Sequence, residues 1–116
     1  MGSPIAPTLA NIFLCHYENE WLKNCPVDFT PAFYRRYMDD TFVLFKNHNQ
    51  AKLFLDYLNS KHPNIKFTIE TETNKTLPFL DTLITRTNNV FSSSTYRKPT
   101  FTGLGLNFLS CTPMTY

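Results

Sequence analysis

The sequence predicts an α+β fold, an antiparallel sheet with two helices packed on one face. Three observations predict it. Two segments repeat apolar residues at helical spacing, several short runs are aromatic, β-branched or strictly alternating, and the two kinds are interleaved along the chain. A chain of 116 residues with a hydrophobic fraction of 42% is one domain at most. Aromatics reach 16%, with eleven Phe and six Tyr, which suits a sheet-based core. A domain of this size buries a little under about 70% of its unfolded surface, enough for a core.

Pro4 and Pro7 make the opening residues an extended or turning loop, because proline disfavours helix at the residue before it. Helix is allowed from Pro7 onward, where proline suits a first turn. Leu9, Ile12, Phe13, Tyr17 and Trp21 then share one face, with Trp21 expected in the core, and Asn24-Cys25-Pro26 ends the helix. Two short apolar runs, 32–36 and 41–45, favour strand. Lys46-Asn47-His48-Asn49 is a polar break, and Ala51, Phe54, Tyr57 and Leu58 form a second helical stripe closing near Lys61-His62-Pro63. Ile65, Phe67 and Ile69 alternate with polar residues, the pattern of a half-buried strand. Thr73-Asn74-Lys75 is a turn, and 79–85 and 90–96 read as a hairpin joined through Asn88-Asn89. No strong periodicity follows Pro99. The expected division is therefore a folded region over 1–102 and a tail over 103–116 with no assigned structure.

The net charge of +2 is too small to imply a nucleic-acid partner, but its distribution is uneven. No acidic residue follows Asp81, whereas Arg86, Arg97 and Lys98 do, which suits either a phosphate backbone or an exposed tail. Cys15, Cys25 and Cys111 show no metal-ligand spacing with His16, His48 or His62 and read as buried or half-buried reduced thiols of an intracellular protein. No apolar run approaches the roughly 18 residues of a membrane span, and no secretion signal opens the chain.

Between the first two strand-like runs stands Tyr37-Met38-Asp39-Asp40. Aspartate tolerates turns, so the simplest reading is a hairpin lifting two adjacent carboxylates to its tip. Side-by-side carboxylates repel unless a positive group sits between them. An exposed pair is therefore a candidate Mg²⁺ site, since Mg²⁺ takes hard oxygen ligands and bridges to substrate phosphates. The plainer alternative is a pair that merely caps or solvates the bend.

With its neighbours, this stretch resembles the catalytic core of reverse transcriptases, in which an aromatic-x-Asp-Asp hairpin carries part of the active site. Met1-Gly2-Ser3-Pro4-Ile5-Ala6-Pro7-Thr8-Leu9-Ala10-Asn11 resembles the Gly-Ser-Pro loop and helix before that hairpin. Leu77-Pro78-Phe79-Leu80-Asp81 resembles the start of the primer-gripping hairpin after it. Tyr96-Arg97-Lys98-Pro99-Thr100-Phe101-Thr102 is similar to a block of the Penelope-like retroelements. The four blocks occur in the family's order and cover most of the chain.

The resemblance implies a partial polymerase palm over 1–102, and RNA-directed DNA polymerisation on an RNA template and DNA primer with deoxynucleoside triphosphates. It implies two Mg²⁺ ions, roughly 3.5–4 Å apart in such sites, with Asp39 the stronger ligand and Asp40 the auxiliary one. Tyr37 and Met38 would lie under the primer end and incoming nucleotide, and Gly2, Ser3 and Pro4 against that nucleotide. Phe79, Leu80 and Asp81 would position the primer strand, with Arg97 and Lys98 on its phosphates. On residue type alone, Phe79 and Leu80 read as core, Gly2-Ser3-Pro4 as an ordinary turn, and Asp81 as a local cap. Lys61 and Lys66 lie where the family places a proton-donating lysine, and solvated surface is the plainer reading for both.

One departure bears on activity. The family carries a further bridging aspartate on a strand upstream of the Gly-Ser-Pro block, and Glu18 and Glu20, on the expected helix, are poor substitutes. The expectation is a truncated fragment, inactive or nearly so by itself and marginally stable, belonging to an intracellular enzyme for which the nucleus is plausible. The alternative is a non-catalytic retroelement remnant or nucleic-acid-binding module.

Overall fold

The computed structural model describes residues 2–100 and 103. The chain divides into two compact units, Met1–Glu72 and Thr73–Tyr116. The expected α+β class is observed, although the strands form two separate antiparallel sheets, one of two strands and one of three. The expected tail over 103–116 lies, apart from Gly103, outside the described residues.

In the first unit, helix α1 spans Ala6–Lys23 with proline in its first turn. The Asn24 N–H closes it by donating to the Glu20 carbonyl and the Cys25 N–H by donating to the Leu22 carbonyl, and Lys23 suits the negative end of the helix dipole. Its apolar stripe is covered only toward the C-terminal end. Trp21 is 4% exposed, whereas Leu9, Ile12 and Phe13 are 56%, 61% and 45% exposed. A short 3₁₀ turn at Val27–Phe29 leads into strands β1, Phe33–Tyr37, and β2, Asp40–Leu44. Their antiparallel register runs from Phe33 opposite Leu44 to Tyr37 opposite Asp40.

Helix α2, His48–Lys61, buries Ala51, Phe54 and Leu58, which fall on one face at i, i+3 and i+7. Trp21, Phe54 and Leu58 form the core, with Tyr17, Tyr34, Phe45, Ile65 and Phe67 packed around them. Tyr57 ties the two helices by donating its hydroxyl to the Trp21 carbonyl at 2.9 Å. Alternation along β1 turns Tyr34 and Arg36 inward and leaves Phe33, Arg35 and Tyr37 exposed, so both helices meet one face of the hairpin.

The strand expected over 65–69 does not form. The alternating pattern still operates, because Ile65 and Phe67 pack on the core, while Ile69 is 41% exposed. Among the described residues no strand lies beside this segment. The Asn59 side chain takes the place of one, accepting from the Phe67 N–H at 2.7 Å and donating to the Phe67 carbonyl at 3.1 Å. A side-chain amide carries both a donor and an acceptor, so it can imitate one rung of a ladder.

The second unit is a meander of β3, Thr76–Phe79, β4, Thr82–Thr87, and β5, Val90–Thr95, in that spatial order. Asn88 and Asn89, at φ 47° and 66°, make the tight β4–β5 turn that asparagine favours. The single strand expected over 79–85 is corrected. The chain reverses at Leu80-Asp81, with Leu80 at φ 56°, a left-handed conformation that branched apolar residues rarely adopt and that no sequence cue signals. Pro78 fits β3 because β3 is an edge strand.

Among the described residues the buried apolar side chains are Trp21, Ala51, Phe54 and Leu58, and none of the described side chains is less than 2% exposed. A core this small supports little cooperativity. Thermal unfolding followed by Trp21 fluorescence is expected as a broad transition centred below about 60 °C. A sharp transition above that temperature would contradict this reading. No helix among the described residues is long and apolar enough to cross a membrane.

Candidate functional site

Strand β1 ends at Tyr37 and β2 begins at Asp40, so Met38 and Asp39 alone make the turn. Met38 has φ 50° while Asp39 does not share the positive sign, the pattern of a type II′ hairpin turn. Methionine in this region is strained, and such strain persists only where the surroundings impose it. Tyr37, Met38, Asp39 and Asp40 are all exposed, Tyr37 at 56% and Met38 at 64%. Two adjacent carboxylates therefore stand at an open tip, as the sequence led us to expect. Among the described residues no group of three or more His, Cys, Asp or Glu is placed to hold a metal ion. A cation at the tip would take its remaining ligands from water or substrate phosphates, which suits Mg²⁺.

Behind the tip lies a polar cluster that sequence reasoning missed. Glu18, on α1, is buried, and its Oε1 accepts from Arg36 Nε at 2.6 Å and from the Tyr34 hydroxyl at 2.7 Å. Arg36 spends its other donors on the surrounding chain. Its Nη1 reaches the Met38 carbonyl at 2.9 Å, and its Nη2 reaches Asn11 Oδ1 at 2.9 Å and Cys15 Sγ at 3.2 Å. Burial lowers the guanidinium pKa, but the hydrogen bond and charge of Glu18 outweigh that, so the net direction is upward. Burial also raises the Tyr34 hydroxyl pKa, reinforced by donation to Glu18 and by that carboxylate's charge. The sequence signal was parity: Tyr34 and Arg36 lie on the inward face of β1, and an inward arginine needs an acid.

The Tyr34 shift has a pH consequence. Its folded pKa lies above the ordinary value near 10, so the unfolded chain ionises first as pH rises. This contribution to stability is present below about pH 10 and is lost as pH climbs through the folded value. Denaturant titrations above pH 10 should show falling stability, with Tyr34→Phe flattening the dependence. An unchanged slope in that variant would refute the assignment.

The remaining sequence-derived residues fall in several places. Gly2, Ser3 and Pro4 form an exposed loop before α1, its Ser3 carbonyl accepting from the Ala6 N–H at 3.1 Å. A Cβ built on Gly2 meets nothing within 4 Å, so there is open space beside the backbone. The Asn11 contact sets the hairpin tip against the second turn of the helix this loop enters. Asn11 is about 8 Å along the axis from Ala6 at 1.5 Å rise per residue.

Phe79, Leu80 and Asp81 lie in the second unit at the β3–β4 reversal. Phe79 is half-buried, but Leu80 is 40% exposed, so the expectation that both are core fails for Leu80. The Asp81 carbonyl accepts from the Tyr96 N–H at 2.8 Å. Arg97 and Lys98 are exposed and follow β5. Lys61 stacks its ammonium 4.3 Å from the Tyr57 ring centre, and Lys66 donates to the Asn59 carbonyl at 3.1 Å. Cys25 is half-buried as expected, Cys15 is exposed instead, and Cys111 lies outside the described residues.

Comparison with protein-family models matches residues 1–108 to reverse transcriptase (RNA-dependent DNA polymerase). No curated protein and no solved structure matches the chain. Polymerases of this family copy an RNA template from nucleotide substrates and use divalent metal ions. With the match covering nearly its whole length, the chain belongs to the reverse transcriptase family.

Proposed function

We propose that Asp39 and Asp40 form the metal-binding edge of a polymerase palm, serving RNA-templated nucleotidyl transfer with two Mg²⁺ ions. The observation that carries this reading is the open two-residue tip bearing adjacent carboxylates, which a half-buried arginine ties to α1. The donor set fits Mg²⁺: hard carboxylate oxygens, exposed to water, with room for phosphate ligands. Bound there, the ions would supply the Lewis acidity that activates the primer hydroxyl and stabilises the leaving pyrophosphate. Asp39 is the principal ligand and Asp40 the auxiliary one. Tyr37 and Met38, exposed beside them, form the floor for the primer end and incoming nucleotide, and the open space at Gly2 admits close backbone approach.

Phe79, Leu80 and Asp81 contact the primer strand, with Arg97 and Lys98 on its phosphates. An exposed leucine in a strained turn is costly unless something uses it, which favours contact over packing for Leu80. The block Tyr96-Arg97-Lys98-Pro99-Thr100-Phe101-Thr102 favours the Penelope-like branch of the family.

A second reading, a nucleic-acid-binding module without turnover, draws on one observation. No third metal ligand joins the pair among the described residues. Primer extension on an RNA template, by an enzyme that carries this chain, separates the two. The polymerase reading expects template-directed products that require Mg²⁺ and vanish with chelator. Salt-sensitive RNA binding with no extension would replace it with the second reading.

A further inference from the structure

We propose that Arg36, seated on Glu18, is the positioning residue that holds the Met38–Asp39 turn, and with it the Asp39–Asp40 pair, in its working geometry against helix α1. The inference rests on reading the tip as a metal site.

Arg36 lies two residues before the turn with its side chain inward, so its guanidinium sits beneath the tip. Its Nη1 bonds the Met38 carbonyl, which belongs to the central peptide of the two-residue turn. Types I′ and II′ differ mainly by a flip of that peptide. With φ positive at Met38 and not at Asp39, the observed turn is the II′ form, and a flip would carry the Asp39 carboxylate elsewhere. A hydrogen bond on the Met38 oxygen is therefore a lock on the orientation of Asp39.

The lock is itself fixed. Arg36 Nη2 bonds Asn11 Oδ1 and Nε bonds Glu18 Oε1, both on α1, so the tip and the helix that follows the Gly2 loop are held in one relation. The Arg36 side chain is 8% exposed and that of Glu18 is 11%, so water competes little for either. Only a planar fork with several fixed donors can serve helix and turn together, and lysine, a point charge on a flexible stem, cannot.

The test uses the 116-residue chain labelled with ¹⁵N, in wild-type form and as Arg36→Lys and Glu18→Gln. Amide order parameters of 38–40 report the lock, and Mn²⁺ line-broadening of the same amides reports metal binding. In the wild type the order parameters should be about 0.85, and in Arg36→Lys they should fall below about 0.6 at the tip alone. Mn²⁺ binding at the tip should weaken about 10-fold or more, the usual effect of losing a group that orients a ligand. The Trp21 indole signal should not move, which separates a local lock from a general loss of packing. Glu18→Gln keeps the acceptor but removes the charge. It should loosen the tip by a smaller amount, and it carries the test if Arg36→Lys does not fold. Unchanged order and Mn²⁺ affinity in the variants would overturn the proposal. A wild-type tip that is rigid but takes up no Mn²⁺ would instead overturn the metal reading, while the order parameters still decide the role of Arg36.

Discussion

In an enzyme that carries this chain, Asp39→Asn is expected to lower single-nucleotide incorporation on an RNA template by at least about 10³-fold. Loss of one preorganised charge-stabilising group costs roughly 10²–10³ in rate, and a principal metal ligand should cost more. The substitution removes a charge and leaves nearly the same shape. Asp39 is exposed, and the turn's anchor is the Met38 carbonyl rather than the Asp39 side chain, so the hairpin should survive. The loss should appear in kcat with little change in KM for the nucleotide, since the metal acts on charge that develops in the transition state. Asp40→Asn should cost less, because Asp40 is assigned the auxiliary position. Wild-type incorporation by Asp39→Asn would remove the carboxylates from the mechanism.

Glu18→Ala is expected to destabilise the first unit by about 3–5 kcal/mol, the cost of stranding one partner of a buried ion pair. The substitution leaves the Arg36 guanidinium without its counter-charge and the Tyr34 hydroxyl without its acceptor. Against a total of about 5–15 kcal/mol for an ordinary domain, and a core as small as this one, that is enough to populate unfolded chain at 25 °C. Replacing both partners with apolar residues, Glu18→Met with Arg36→Met, should recover most of the loss, because no orphaned charge remains. Urea titrations of the two variants check this. A Glu18→Ala midpoint equal to wild type would show that the pair is not a structural element.

Much of this was legible in the chain, for definite physical reasons. The helices announced themselves through the spacing of Trp21 with Tyr17 and of Phe54 with Leu58, since each stripe had a core to meet. The first hairpin was legible because two strand-favouring runs flank a pair of aspartates. Asn88-Asn89 marked the β4–β5 turn, as asparagine tolerates positive φ. Three features stayed hidden. The reversal at Leu80 lacks glycine or asparagine at its strained position, so nothing local marks it. The alternating residues Ile65 and Phe67 signalled burial correctly, but a pattern cannot say whether a strand or the Asn59 amide will meet the backbone. The Glu18–Arg36 pair joins residues far apart in sequence, and only the packing of β1 on α1 makes them partners.

The most direct test of the metal site is diffraction from crystals soaked with Mn²⁺ and a non-hydrolysable deoxynucleoside triphosphate. Anomalous density should appear at the Met38–Asp39 turn, within about 2.2 Å of carboxylate oxygens of Asp39 and Asp40 and bridging to the triphosphate. Density elsewhere on the chain, or none at the turn with nucleotide bound, would contradict the assignment of these two aspartates.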